Sequence, residues 1–174
     1  MKTLQFQLSK YAAYHRDRRN IATHFVGIPM IVLATATLLS RPSLMLGALP
    51  VSPALAVTLG AIVFYLALDL RFGIAMTAFM GLSLWGGSRI AAMSTGTWLG
   101  LGLGLFALGW VIQFVGHAWE GRKPAFVDDL VGLLIGPLFI VAEAAFALGL
   151  RGELHAAIEA DVGPTRIRSR AAAA

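Results

Sequence analysis

Five apolar runs separated by short polar breaks organise the chain: Ile21 to Leu39, Val51 to Leu68, Phe72 to Gly87 (extending as far as Met93), Thr97 to Val115 and Leu130 to Leu150. Each approaches the roughly 20 residues that a helix needs to cross a bilayer. Helices are predicted because lipid offers no partner for an unpaired backbone group. Arg41-Pro42-Ser43 ends the first run, Asp69-Leu70-Arg71 makes a very tight turn between the second and third, and Ser94-Thr95-Gly96 opens the fourth. Small residues at four-residue spacing, Gly100/Gly104 and Gly132/Gly136, predict close helix contact. The pattern reads as all-α, a polytopic membrane helix bundle with four transmembrane helices and a fifth apolar segment that is re-entrant or a fifth span. Residues 1–174 form a single integral membrane domain, with an N-terminal segment 1–20, a helix bundle 21–150 and a polar C-terminal tail 151–174. The Ala171 to Ala174 end is expected to be disordered, and no internal repeat is present.

Composition strengthens the membrane reading. Apolar residues make up 57% of the chain and charged residues 13%, against a charged share of about 25% in an ordinary soluble domain. The absence of cysteine excludes disulfides, thiolate metal sites and thiol nucleophiles. A net charge of +5 resembles a nucleic-acid signal, but the basic residues lie in tails and loops beside apolar runs. They suit topology and lipid headgroups, with no nucleic-acid partner. The polar stretch ahead of the first run does not read as a signal peptide.

Loop charge orients the chain. With the N-terminus inside and five true spans, Lys and Arg divide eight inside to six outside; if the last segment enters and returns, they divide twelve to two. The positive-inside rule prefers the second arrangement. Pro137 within that segment and Glu143 beyond it suit a broken or re-entrant helix.

The candidate chemistry sits at the mouths of two runs. Tyr14-His15-Arg16-Asp17-Arg18-Arg19-Asn20 and His24 precede or open the first; Gln113-Phe114-Val115-Gly116-His117-Ala118-Trp119-Glu120 closes the fourth. Four crossings separate His24 from His117, so both emerge on one membrane face, with His15 beside them. Imidazoles with an amide and a carboxylate in company point to a metal site at a membrane surface, for which zinc is as acceptable as iron. Asn20 and His24 share a helix face, and Asn20 is a good N-cap for the first span. His15 and His24 are nine residues apart and fall on opposite faces of a straight helix, so the chain must bend, with Asn20 as the expected place. Gln113, His117 and Glu120 lie on one face at spacings of four and three residues. His155, in the charged Arg151-Gly152-Glu153-Leu154-His155 segment, reads as solvated. Trp85, Trp98, Trp110 and Trp119 read as interface or packing residues.

Tyr14-His15 with Asn20 and His24-Phe25-Val26-Gly27-Ile28-Pro29, then Gln113-Phe114-Val115-Gly116-His117 and Glu120-Gly121-Arg122-Lys123-Pro124-Ala125-Phe126, resemble the membrane 2-hydroxy fatty acid dioxygenases. Asp128-Asp129-Leu130 and Gly136-Pro137-Leu138-Phe139 are similar as well, so the likeness runs from about residue 10 to residue 150. The resemblance implies an Fe(II)-dependent α-oxidation in which a 2-hydroxy fatty acid and O2 yield an acid one carbon shorter, as in the metabolism of phytosphingosine to odd-chain acids. It implies His15, His24 and His117 as metal ligands, Glu120 as a carboxylate ligand or base, and Asn20 and Gln113 as orienting partners. Arg16, Arg19, Arg122 and Lys123 would attract the substrate carboxylate. A fourth ligand is left open among Glu120, Glu143 and His155. The simplest location is a bacterial inner membrane with the site facing the cytoplasm. Two rivals remain: a b-type haem protein with bis-histidine ligation, and a non-catalytic membrane assembly or transport protein. Oligomeric state is not legible.

Overall fold

A computed structural model describes residues 3–47 and 49–167; the Ala171 to Ala174 end lies outside the described residues. The fold is all-helical apart from one small hairpin. In chain order the elements are α1 (Leu4–Ala12), α2 (Arg18–Ser40), β1 (Leu44–Leu46), β2 (Leu49–Val51), α3 (Pro53–Leu68), α4 (Leu70–Ala91), α5 (Thr95–Glu120), a 3-10 turn (Ala125–Val127), α6 (Gly132–Ala147) and α7 (Gly152–Val162). The chain divides into two compact units, one of residues 27–110 and one of residues 1–26 with 111–174. Helices α2 and α5 contribute to both.

In the unit 27–110, local sequence sets each boundary. Ser52 caps α3, its Oγ accepting from Leu55 N at 3.2 Å, and Pro53 takes the first helical position, where the missing N–H costs nothing. Val51, assigned to the second apolar run by hydropathy, belongs instead to β2, which pairs antiparallel with β1. Asp69 alone links α3 to α4, with φ −159°, and its Oδ1 accepts from Phe72 N at 2.9 Å. So tight a link needs a small neighbour: a Cβ on Gly73 would stand 2.6 Å from Leu66 Cα.

Of the glycines expected to permit close contact, Gly132 on α6 does so, an added Cβ standing 3.1 Å from Phe126 N, whereas the pair on α5 does not. Gly100 and Gly104 face open space. On α5 it is Gly102 and Gly109 that meet α2: an added Cβ would lie 2.6 Å from Leu38 Cδ2 and 2.9 Å from Gly27 O respectively. Two residues of helix turn the face by about 200°, which moves the contact from position 100 to position 102. Trp98 donates its Nε1–H to Thr37 O at 2.9 Å and lies beneath the Arg41 guanidinium. Much of the outer surface is apolar, with Val63, Ile74 and Leu82 exposed on α3 and α4.

The other unit is built on α1, α6 and α7. Thr3 caps α1 by accepting from Phe6 N, so the N-terminal segment contains a helix, and α1 packs on both α6 and α7. Leu8, Tyr11, Ala12, Ile135, Leu138, Phe139 and Ile158 form its apolar core. Helix α6 runs through Pro137 without ending. The break falls later, where Gly149 (φ +75°) and Arg151 (φ +57°) adopt left-handed conformations and α7 departs at 116°. One proline removes a single helical donor, whereas two left-handed residues redirect the backbone.

Helices α2 and α5 are long and apolar enough to cross a membrane; the bent α6–α7 pair would make a third span if counted as one, and α3 is a shorter apolar helix of 16 residues.

Candidate metal centre

The residues between α1 and α2 turn the chain sharply, and His15 sits in that turn. The bend between His15 and His24 therefore lies at residues 13–17, not at Asn20, which is already inside α2. Asp17 is the cap: its Oδ1 accepts from Arg19 N at 2.9 Å, while its carbonyl accepts from Ile21 N. Two capping residue types lie three positions apart in this sequence, and only the tertiary contacts of Asn20 select between them.

The turn brings three imidazoles together. His15 and His24 are fully buried and His117 is 6% exposed. One nitrogen from each ring lies within 4.8 Å of the others. His15 Nδ1 is 2.8 Å from Tyr11 O, and His24 Nδ1 is 2.8 Å from Asn20 O. A carbonyl only accepts, so each ring carries its proton on Nδ1 and turns an Nε2 lone pair inward. These two Nε2 atoms are 3.0 Å apart. Burial, and next the His24 imidazole, hold the His15 pKa well below the ordinary histidine value, which keeps this ring neutral. Two neutral lone pairs facing at that distance repel; a cation between them converts the repulsion into coordination.

Every backbone polar group of the turn has a partner, as buried backbone requires. Ala13 N donates to Ser9 O, Tyr14 N to Tyr11 O and His15 N to Ala12 O. Arg16 N and Asp17 N both donate to Glu120 Oε2, at 2.9 and 2.7 Å. The carbonyls of Ala13, Tyr14, His15 and Arg16 accept from Arg122 Nη1, Asn20 Nδ2, Arg16 Nε and Arg166 N in turn. Beneath the turn the Tyr11 ring stacks on His15, centroids 4.2 Å apart and planes 5° apart. Phe139 stands 5.4 Å from the same ring.

Among the described residues the cluster of metal-donor atoms consists of the three imidazoles, and Glu120 is not one of its members. Glu120 is 1% exposed and also accepts from Asn20 Nδ2 at 3.3 Å. Gln113 is buried on the α5 face that carries His117 and Glu120. Arg16 is 4% exposed: Nε gives to Ala12 O and His15 O, Nη1 gives to Gly163 O, and Nη2 lies 3.8 Å from Glu143. Burial lowers the pKa of its guanidinium, with Glu143, Glu159 and Glu120 acting in the opposite sense. Arg19 makes a two-pronged pair with Asp17 and lies over Trp119. Lys123 pairs with Asp128 at 2.6 Å. His155 stacks on Phe146 and stands 3.6 Å from Glu159, outside the three-ring cluster.

The sequence pattern assigned no individual role to Tyr11, Asp17, Phe139 or Gly116. Tyr11 was legible as the residue one turn before His15. Gly116 is where α5 meets α2 in this unit: an added Cβ would clash with Thr23 Oγ1 and stand 3.2 Å from Asn20 Cα.

Three neutral imidazoles suit iron or zinc and leave coordination positions open to oxygen ligands. Comparison with known proteins narrows the chemistry. The family model described as "2-hydroxy-palmitic acid dioxygenase Mpo1-like" matches residues 1–148. The chain is 32% identical over 163 residues to the 2-hydroxy-palmitic acid dioxygenase MPO1 of Saccharomyces cerevisiae, covering 91% of this chain and 89% of that protein. No solved structure matches. A match that takes in the turn, all three imidazoles and the whole of α6 leaves one assignment: this chain belongs to the 2-hydroxy-palmitic acid dioxygenase Mpo1-like family.

Proposed function

We propose that this protein is an Fe(II)-dependent dioxygenase that shortens 2-hydroxy fatty acids by one carbon, with His15, His24 and His117 holding the metal. The observation that carries the metal is the 3.0 Å approach of two Nε2 lone pairs whose rings have committed their protons to backbone carbonyls. Iron(II), when bound, supplies redox capacity and open positions for a 2-hydroxy carboxylate and O2. The chain supplies the rest. Tyr11 O and Asn20 O fix the tautomers, and the Tyr11 and Phe139 rings keep water from the His15 side. Gln113, one helical turn before His117, is placed to orient a ligand oxygen. Arg122, whose Nη1 donates to Ala13 O, supplies positive charge that draws the substrate carboxylate inward, while Arg16, Arg19 and Lys123 are paired with Glu143, Asp17 and Asp128. The reaction balances as R–CH(OH)–COOH + O2 → R–COOH + CO2 + H2O. The hydroxy acid supplies all the electrons that O2 takes up, so no further reductant is needed.

Four crossings with a re-entrant last segment remain the preferred topology. Helices α3 and α4 are joined by a single residue and so cross as a pair or not at all. Either way an even number of crossings separates the two ends that carry the histidines. The 116° bend, followed by the packing of α7 on α1, supports a C-terminus on the same side as the N-terminus. That arrangement has the better charge asymmetry, with the site cytoplasmic in a bacterial inner membrane. A haem reading loses support, because a flat macrocycle needs a slot between its ligands and the three donor atoms lie within 4.8 Å.

The test is anaerobic purification with metal analysis, followed by oxygen uptake on adding a 2-hydroxy fatty acid. Stoichiometric iron and uptake dependent on the 2-hydroxyl are expected. Absence of both sinks the reading.

A further inference from the structure

We propose that Glu120 is a positioning residue: its carboxylate braces the His15 turn and so sets the geometry of the metal centre, without itself ligating the metal or accepting a proton. The proposal rests on the reading that the three imidazoles bind the metal.

Glu120 is the last residue of α5, where the helix dipole disfavours a negative charge. It is also 1% exposed, so solvent does not relieve that charge. Compensation comes from the start of α2. One oxygen, Oε2, receives Asp17 N at 2.7 Å, Arg16 N at 2.9 Å and Asn20 Nδ2 at 3.3 Å. The two amides belong to the cap of α2 and to the residue before it, the positive end of that helix dipole, where an anion is favoured. Both follow His15 directly in the chain. The brace therefore joins the end of α5, three residues after His117, to the turn that carries His15 and to the residue whose carbonyl holds His24. A single carboxylate thus sets the spacing of all three rings. The amides converge on Oε2, and the carboxylate is not a member of the cluster of metal-donor atoms.

Two substitutions separate bracing from ligation. In Glu120→Gln the amide oxygen can still accept both backbone N–H groups, whereas Glu120→Ala removes the acceptor. For a brace, Glu120→Gln keeps the metal stoichiometry and the cobalt(II) visible spectrum of the parent. Glu120→Ala weakens cobalt(II) binding by roughly 10–100-fold, the range for loss of an outer partner. Independently of metal, amide hydrogen exchange at Arg16 and Asp17 should rise at least about tenfold in Glu120→Ala and stay near the parent in Glu120→Gln, a change confined to that turn. Loss of metal or a changed cobalt spectrum in Glu120→Gln would make Glu120 a ligand and overturn the proposal. So would parental exchange rates in Glu120→Ala. Failure of the metal reading itself shows differently: the parent and a His24→Ala control would then bind cobalt(II) equally poorly, while the exchange experiment still decides the brace.

Discussion

His15 Nε2 and His24 Nε2 stand 3.0 Å apart, and each ring donates its Nδ1–H to a carbonyl one turn earlier in its own chain segment. Local sequence makes both donations, because His15 follows Tyr11 by four residues and His24 follows Asn20 by four. The pairing of the two lone pairs is tertiary. A protein that holds this arrangement ready for a cation should show it in its metal dependence.

Replacing any of His15, His24 or His117 by alanine should lower metal affinity by more than the ~10–100-fold typical of an outer partner. Metal analysis of the purified variants measures this. A variant that retained both stoichiometric metal and turnover would remove that histidine from the ligand set.

Chelation should destabilise the parent. Metal bound at 100 times its dissociation constant contributes about 2.7 kcal/mol through mass action. Thermal melting with and without chelator should show that loss, restored by added iron(II) under anaerobic conditions. In His24→Ala the chelator should change nothing.

Gly116→Ala should disrupt the centre, because the new methyl meets Thr23 and Asn20 on α2. Overpacking of this kind costs about 1–3 kcal/mol, and the displaced α2 carries His24 with it. Gly100→Ala and Gly104→Ala, which face open space, should melt at or slightly above the parent temperature. Equal effects at all three positions would contradict this packing.

Arg16→Ala should be far more damaging than Arg19→Ala. Arg16 is buried and ties Ala12, His15, Gly163 and Glu143 together. Breaking a buried pair from one side costs about 3–5 kcal/mol, whereas the Arg19 side chain is 38% exposed, so solvent weakens its pair with the buried Asp17 and its loss should cost less. Denaturant melts in the same detergent compare the two.

Asp128 gives the pH dependence a local component. Hydrogen bonds from Lys123 and then Tyr14 hold its pKa below the ordinary carboxylate value. A depressed acid stabilises the fold above its unfolded value and loses that contribution as pH falls through its folded value. The parent should therefore exceed Asp128→Asn in melting temperature at pH 7, with the gap closing below about pH 4. A gap independent of pH would assign the effect to packing.

Much of this protein was legible from residue order, for reasons of short range. Apolar runs gave the helices, because lipid and core alike reward uninterrupted backbone pairing over such stretches. The spacing of Gln113, His117 and Glu120 gave the buried face of α5, because helical geometry is fixed by the backbone. Motif order gave the family. Other features depended on what stands opposite. The sequence pointed to Asn20 as the cap; in the structure Asp17 caps α2, and Asn20 lies inside the helix with its amide drawn to Tyr14 O and Glu120. It offered Gly100/Gly104 as a packing face, and the rotation of α5 against α2 chose Gly102 and Gly109 instead. It offered Glu120 as ligand or base, and three donors converging on one oxygen favour a brace. Periodicity fixes which side chains share a face of one helix. Only the packed chain decides which partner that face meets, because hydrogen bonds and close contacts between distant segments are settled together.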